Sequence, residues 1–317
     1  MSVLTLGTRG SALARRQAEH VAARLRACHR DLAVRLAIIT TRGDRHAEAP
    51  PRAAGREGLF TGEIETGLLD GRIDLAVHSL KDLPTAMADG LTLAAVAGRA
   101  DPADALIAAD ALTLDTLPPG GVVLTGSPRR TAQLRHHRPD LRVAPVRGNV
   151  DTRLAKLDGS DAVGMILACA GLERLGRTDR IAERLDPTIF CPACGQGALA
   201  VQTRADDDAA LARAAAIHDA SAAAAVTAER AYLAALGGGC LVPAGAYGRW
   251  DDDGRTLRLT AMLATADGAL AVRRDAAVAR DPNDADAALA LGTDLATTVL
   301  ADGGAEILRR LGREDRP

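Results

Sequence analysis

The chain has 317 residues, 47% of them hydrophobic, 25% charged and only 2% aromatic, with a formal net charge of −2. That balance suits a soluble globular protein of two or three domains with aliphatic cores. No apolar run reaches the roughly 18 to 20 residues of a membrane span. Five irregularly spaced cysteines, Cys28, Cys169, Cys191, Cys194 and Cys240, argue against a secreted disulfide framework.

Met1-Ser2-Val3-Leu4 runs straight into an expected strand with no basic-then-apolar leader, so a cytoplasmic protein is expected. Periodicity predicts a strand over Val3 to Gly7, a helix over Ser11 to Cys28, a strand over Val34 to Thr40, a helix over Thr61 to Leu69 and a strand over Ile73 to Val77. Arg99 to Pro102 reads as a crossover. Strands then follow at Val122 to Thr125, Arg142 to Val146 and Ala162 to Ala168, separated by helices near Pro128 to His137 and Asn149 to Leu157, and Ala198 to Thr203 returns as a further strand. Strands alternating with helices are the pattern of a doubly wound α/β sheet. From about Ala220 an alanine-rich helix leads to a glycine-rich loop, a strand pair over Thr256 to Leu263 and Ala269 to Arg274, and a helix from about Asp284 to Leu300, which together predict a small α+β domain.

Charge is unevenly spread. Residues 123 to 184 carry 12 Lys and Arg against 7 Asp and Glu, so that segment is expected to meet an anion. Nucleic acid is disfavoured, because stacking aromatics are nearly absent and no nucleic-acid-binding motif is present. Arginine also suits carboxylates, which its planar fork holds in paired hydrogen bonds. In Thr125-Gly126-Ser127-Pro128-Arg129-Arg130, Ser127 as N-cap and Pro128 at the first helical position mark a helix start. Two arginines in its first turn oppose the helix dipole, and call for a compensating anion. Gly7-Thr8-Arg9-Gly10-Ser11 repeats the strand-to-helix design, and Arg147 and Arg153 flank Gly148-Asn149 at a third junction.

Two further features carry chemistry. Asp82, in His78-Ser79-Leu80-Lys81-Asp82-Leu83-Pro84, follows a strand end, where ligands gather in open α/β sheets. Cys240, in Gly237-Gly238-Gly239-Cys240-Leu241-Val242-Pro243, is a lone thiol on a glycine-rich loop, presented for reaction rather than packed. Cys191-Pro192-Ala193-Cys194 has no second ligand pair at zinc-finger spacing, so no metal site is expected.

The stretches GTRGSALARRQ from Gly7, TTRGD from Thr40, GLFTGEIETGLLDGRIDLAVHSLKDLPT from Gly58, GSPRR from Gly126, VRGNVDTRLAKL from Val146, GQGALAVQTR from Gly195 and AERAYLAALGGGCLVPAGAYG from Ala228 resemble, in order, the porphobilinogen deaminase family. The resemblance implies a transferase that condenses four porphobilinogens head to tail, with loss of ammonia, into the linear tetrapyrrole hydroxymethylbilane of haem biosynthesis. It implies a dipyrromethane primer on Cys240 as thioether. It makes Asp82 the catalytic carboxylate, assisting ammonia loss and stabilising the azafulvenium-like cation. It assigns Lys81, Thr125, Ser127, Arg129, Arg130 and Arg153 to the primer's acids, Arg9, Ser11, Gln17, Arg147 and Arg174 to the substrate, Phe60 to a loop near the cleft and Gln196 to a hinge-side segment. The implied architecture is two domains like those of periplasmic binding proteins, residues 1–97 with 198–216 and residues 98–197, plus an α+β domain of residues 217–317 that carries the thiol. A monomer without nucleic-acid or membrane partners is expected. Cys194 stands at a usually aliphatic position, which supports reading the Cys-x-x-Cys spacing as accidental. The rivals from the residues alone are a non-catalytic two-domain anion-binding or sensor protein, which leaves Cys240 unexplained, and a thiol-dependent acyl transferase, for which no histidine is placed by sequence to activate the thiol.

Overall fold

A computed structural model describes residues 2–45, 61–109, 112–237, 242–252, 254–279, 281 and 284–314. The chain forms two compact units, Met1–Ala100 with Gly197–Ala223, and Asp101–Gln196 with Ala224–Pro317.

The first unit begins with β1 (Ser2–Arg9), α1 (Ala12–Cys28), β2 (Leu32–Ile39), α2 (Arg42–Arg45), α3 (Gly62–Leu69) and β3 (Leu75–Ser79). A 3-10 turn (Leu80–Asp82) and β4 (Leu91–Arg99) follow. The Ser11 hydroxyl caps α1 by accepting from Ala14 N–H, and Ala14, Ala18, Val21, Ala22 and Leu25 form its buried stripe. In the second unit come β5 (Asp104–Ala108), β6 (Val122–Leu124), α4 (Pro128–His137), β7 (Arg142–Ala144), α5 (Val150–Asp158), β8 (Gly164–Ala168), α6 (Cys169–Arg174) and β9 (Glu183–Arg184). The chain then returns to the first unit with β10 (Ala198–Arg204) and α7 (Asp208–Ala215). It ends with α8 (Ala220–Ala235), β11 (Ala244–Trp250), β12 (Thr256–Ala264), β13 (Ala271–Ala279), α9 (Ala285–Val299) and α10 (Ala305–Glu314).

The first sheet runs β2-β1-β3-β10-β4, with β1 parallel to β2 and β3, and β10 antiparallel to both of its neighbours. The second runs β7-β6-β8-β5-β9, with β6 parallel to β7 and β8, and β5 antiparallel to both of its neighbours. The two share one pattern: three parallel strands in the order second, first, third, then a reversed strand that directly follows a crossing between units. Each sheet is covered on both faces. Leu4, Leu6, Val21, Leu25 and Ile217 pack on one face of the first, and Ile64, Leu68 and Ile73 on the other; Leu154, Leu157 and Leu172 flank the second on one side, and Leu134, Leu141 and Phe190 on the other. The third sheet, β11-β12-β13, is antiparallel and shares a core with α8 and α9. The fold class is therefore two doubly wound α/β sheets and a small α+β portion, the class expected.

Several boundaries differ from expectation. The strand expected over Ala269 to Arg274 occupies Ala271–Ala279, because β13 pairs with β12 from Ala271 opposite Ala264 to Ala279 opposite Thr256. The last helix does not close the chain: after α9 the backbone kinks at Asp302 and Gly303 and continues as α10. Helices α8 and α9 approach closely at Gly292, where an added Cβ would lie 2.1 Å from the carbonyl oxygen of Ala228. Gly292→Ala should therefore push two backbones apart and cost about 1–3 kcal/mol, read as a lowered midpoint in urea or thermal unfolding.

Candidate active site

The candidate residues sit at the carboxyl ends of parallel strands. Arg9 ends β1, Lys81 and Asp82 follow β3, Thr125 follows β6, Arg147 follows β7, and Arg174 ends the helix that begins at the end of β8. Ligands collect at this edge in open α/β sheets, because the helix N-termini there present unpaired N–H groups.

In the first unit, Arg9, Ser11, Gln17, Thr61, His78 and Asp82 line one concavity. Asp82 is exposed and Lys81 half-buried. Gln17 is buried, and its Nε2 donates to Ser79 Oγ at 2.8 Å. The Arg9 guanidinium is gripped by Asp44, with Nη2 at 2.6 Å and Nε at 3.2 Å from Oδ1. Thr41 anchors that carboxylate in turn, through its N–H at 3.1 Å and its hydroxyl at 2.8 Å. Burial would raise the Asp44 pKa, but the Arg9 and Thr41 hydrogen bonds outweigh it and hold the pKa below its ordinary value. The TTRGD stretch thus sets the direction of Arg9. His78 is buried, with Nε2 3.1 Å from Gln202 Oε1, and Gln202 Nε2 lies 3.4 Å from Glu65 Oε1. Burial lowers the His78 pKa to about 4, with the Arg9 charge acting the same way and the Gln202 hydrogen bond opposing both.

In the second unit the anion called for by Arg129 and Arg130 comes from the chain itself. Asp104, fully buried at the start of β5, lies 2.8 Å from Arg129 Nη1 and 2.7 Å from Arg130 Nη2. Gln196 Nε2 donates to the same carboxylate at 2.8 Å. The two cations hold the Asp104 carboxyl far below the usual carboxylate range, against the opposing effect of burial. Arg129 Nη1 also donates to Cys191 O at 2.6 Å, and Arg130 Nη1 to Ile166 O at 3.0 Å. Both arginines are buried. Two guanidiniums against one carboxylate still leave a net positive charge, and Arg129 Nε is buried with no hydrogen-bond partner. Ser127 caps α4 by accepting from Arg130 N–H at 3.4 Å. Gly126 fits because a Cβ there would lie 2.6 Å from Val146 O, so the ends of β6 and β7 approach too closely for a side chain. Thr125 is buried, Arg147 is half-buried, and Arg153 Nε donates to Gly148 O at 2.8 Å.

Two models of one family cover the chain: the dipyrromethane cofactor binding domain of porphobilinogen deaminase matches residues 4–212, and that family's C-terminal domain matches residues 223–301. The chain belongs to the porphobilinogen deaminase family. It is 48% identical to the porphobilinogen deaminase of Bordetella parapertussis, over 97% of this chain and 96% of that one. It is 47% identical to that of Thermus thermophilus, over 98% of this chain and 100% of that one, and 46% identical to that of Acidothermus cellulolyticus, over 98% and 92%. Among solved structures, a BvgS VFT2 domain of Bordetella pertussis matches at TM-score 0.42 and 14% identity, covering 68% of this chain and 86% of that one.

Of the residues that the porphobilinogen deaminase resemblance singles out, Arg9, Ser11, Gln17 and Asp82 come together in the first unit's concavity. Lys81 adjoins Asp82; in the second unit Thr125, Ser127 and Arg147 lie just past strand ends, Arg129, Arg130 and Arg153 near the starts of α4 and α5, and Arg174 at the end of α6. Cys240 and Phe60 lie outside the described residues. Sequence reasoning missed Asp44, which fixes Arg9, and Asp104, which fixes Arg129 and Arg130; Asp44 lies within the Thr-Thr-Arg-Gly-Asp stretch, while Asp104 carries no local signal. Cys191 and Cys194 are buried, and burial pushes the Cys191 thiol up to about 12 and that of Cys194 well above its ordinary value, so both are neutral thiols. Among the described residues no cluster of three His, Cys, Asp or Glu could hold a metal, and no helix is long and apolar enough to cross a membrane.

The His78 shift has a defined sign. Unfolded, the ring takes a proton near 6.5, whereas the folded ring resists until about 4. The unfolded state therefore binds more protons across that window, and His78 makes folding stability fall as pH drops from 6.5 towards 4. Urea unfolding at a series of pH values should show this slope, and His78→Asn should flatten it.

Proposed function

We propose that this chain is a hydroxymethylbilane synthase whose chemistry is carried by Asp82 in the first unit's concavity. It condenses four porphobilinogens head to tail, loses ammonia at each addition, and releases the linear tetrapyrrole by hydrolysis. The observation that carries the reading is the grouping of Asp82 with Arg9, Ser11 and Gln17 at one sheet edge, in a chain that matches this enzyme family along nearly its whole length. A non-catalytic sensor accounts for the arginines but not for that family membership.

The second unit's donors suit a ligand rich in carboxylates. Guanidinium groups, the Ser127 and Thr125 hydroxyls and the unpartnered Arg129 Nε are all donors at one strand edge, with positive charge left over after Asp104. We assign Thr125, Ser127, Arg129, Arg130 and Arg153, with Lys81 of the first unit, to the acids of a dipyrromethane joined to Cys240. When bound, that group supplies the nucleophilic pyrrole carbon on which the chain grows. Arg9, Ser11, Gln17, Arg147 and Arg174 take the acetate and propionate of incoming rings. Arg9 enters this task already oriented by Asp44, which lowers the entropy cost of gripping a carboxylate. Asp82 stabilises the positive charge that develops as the amine leaves, and accepts a pyrrole N–H proton during coupling. Neutral His78 adds no competing cation beside it. The protein works as a cytoplasmic monomer.

Intact mass of the purified protein should exceed the sequence mass by one dipyrromethane unit, and Cys240→Ser should remove the excess; an unmodified, fully active protein would refute the thiol assignment. Asp82→Asn should keep the fold and the added mass but lower ammonia release from porphobilinogen by about 100-fold or more. Undiminished turnover in that variant would take Asp82 out of the mechanism.

A further inference from the structure

Thr61 stands where a helix-capping hydroxyl belongs, immediately before α3, yet it makes no side-chain capping bond. Its carbonyl oxygen accepts from the N–H groups of Ile64 and Glu65, but its Oγ1 is buried without a hydrogen-bond partner, in a residue only 2% exposed. A buried hydroxyl left unpaired is costly and uncommon in native structures, and each instance calls for a reason. Thr61 is one of the residues that line the concavity that holds Asp82.

His78 lines the same concavity, and its tautomer follows from its neighbours. The Glu65 carboxylate only accepts, so the amide nitrogen of Gln202 faces it and the amide oxygen faces His78. His78 Nε2 therefore carries the hydrogen, and Nδ1 is a bare acceptor. Of the charged groups lining this concavity among the described residues, Arg9 is already gripped by Asp44, and the other is the Asp82 carboxylate. A hydroxyl oxygen, a bare imidazole nitrogen and a carboxylate form a set suited to a cationic N–H donor.

We propose that Thr61 is a substrate-contacting residue whose hydroxyl, with His78 Nδ1, accepts hydrogen bonds from the aminomethyl ammonium of incoming porphobilinogen beside Asp82. The assignment rests on the reaction proposed above, in which that group is the one cation the substrate brings. Holding it there orients the carbon–nitrogen bond that breaks, and gives the departing ammonia a polar place to leave from.

The test is Thr61→Val, which exchanges the hydroxyl for a methyl group of similar size. Losing a hydrogen bond to a charged group should lower kcat/KM for porphobilinogen about 10- to 100-fold. The unfolding midpoint should stay the same or rise, because the removed hydroxyl satisfies nothing in the protein. Thr61→Ser should recover most of the activity. A porphobilinogen analogue with methyl in place of aminomethyl should inhibit wild type and Thr61→Val with the same constant. Activity within about twofold of wild type, a drop in midpoint of several degrees, or parallel weakening of the methyl analogue would each overturn the proposal. Turnover and primer mass of the unaltered protein test the reaction itself, so the two failures are separable.

Discussion

A buried carboxylate organises the second unit's ligand edge. Asp104 lies at the start of β5, is fully shielded from water, and meets Arg129, Arg130 and Gln196. Stripping water from an isolated carboxylate costs several kcal/mol, which only close cations and hydrogen bonds offset. The arrangement therefore fixes three segments at once: the reversed strand just after the crossing into the unit, the first turn of α4, and the stretch before the crossing out. It also fixes the sign of the site, because two arginines share one acid. The remaining positive charge is available to a carboxylate from outside the chain.

The first unit uses the same device with one arginine. Asp44, held by Thr41, grips Arg9 at the end of β1. In both units the topology does the positioning: parallel strands point their carboxyl ends, and the helix starts that follow them, toward one edge. Neutral and apolar packing lies beneath, as at Leu4, Leu6 and Leu75 in one sheet and Ile107, Met165 and Leu167 in the other. The rigid sheets thus carry a polar edge whose side chains are oriented before a ligand arrives.

Much of this was legible in the residues. Ser127 announces a helix start by capping chemistry and caps α4 as expected, and Ser11 and Asn149, where two further helices were expected to begin, cap theirs as well. The conflict of two arginines in the first turn of α4 correctly called for an anion. Its identity was not legible, since Asp104 opens a five-residue strand, Asp-Ala-Leu-Ile-Ala, distant in sequence from both partners. Strands β4, β5, β9 and β11 went unread: β5 and β9 are short, and β4, β5 and β9 pair antiparallel with segments distant in sequence, whereas β11 forms a hairpin with its neighbour β12. Thr61 reads in sequence only as the start of a helix; its unpaired, buried oxygen marks it out.

The most direct test of this account is a crystal structure of the protein isolated with its thiol-linked primer. Carboxylate oxygens of that group should lie within about 3 Å of donors on Ser127, Arg129 and Arg153, with Asp104 still joined to both arginines. Primer acids turned to solvent, with those arginines bonded only to the protein, would contradict it.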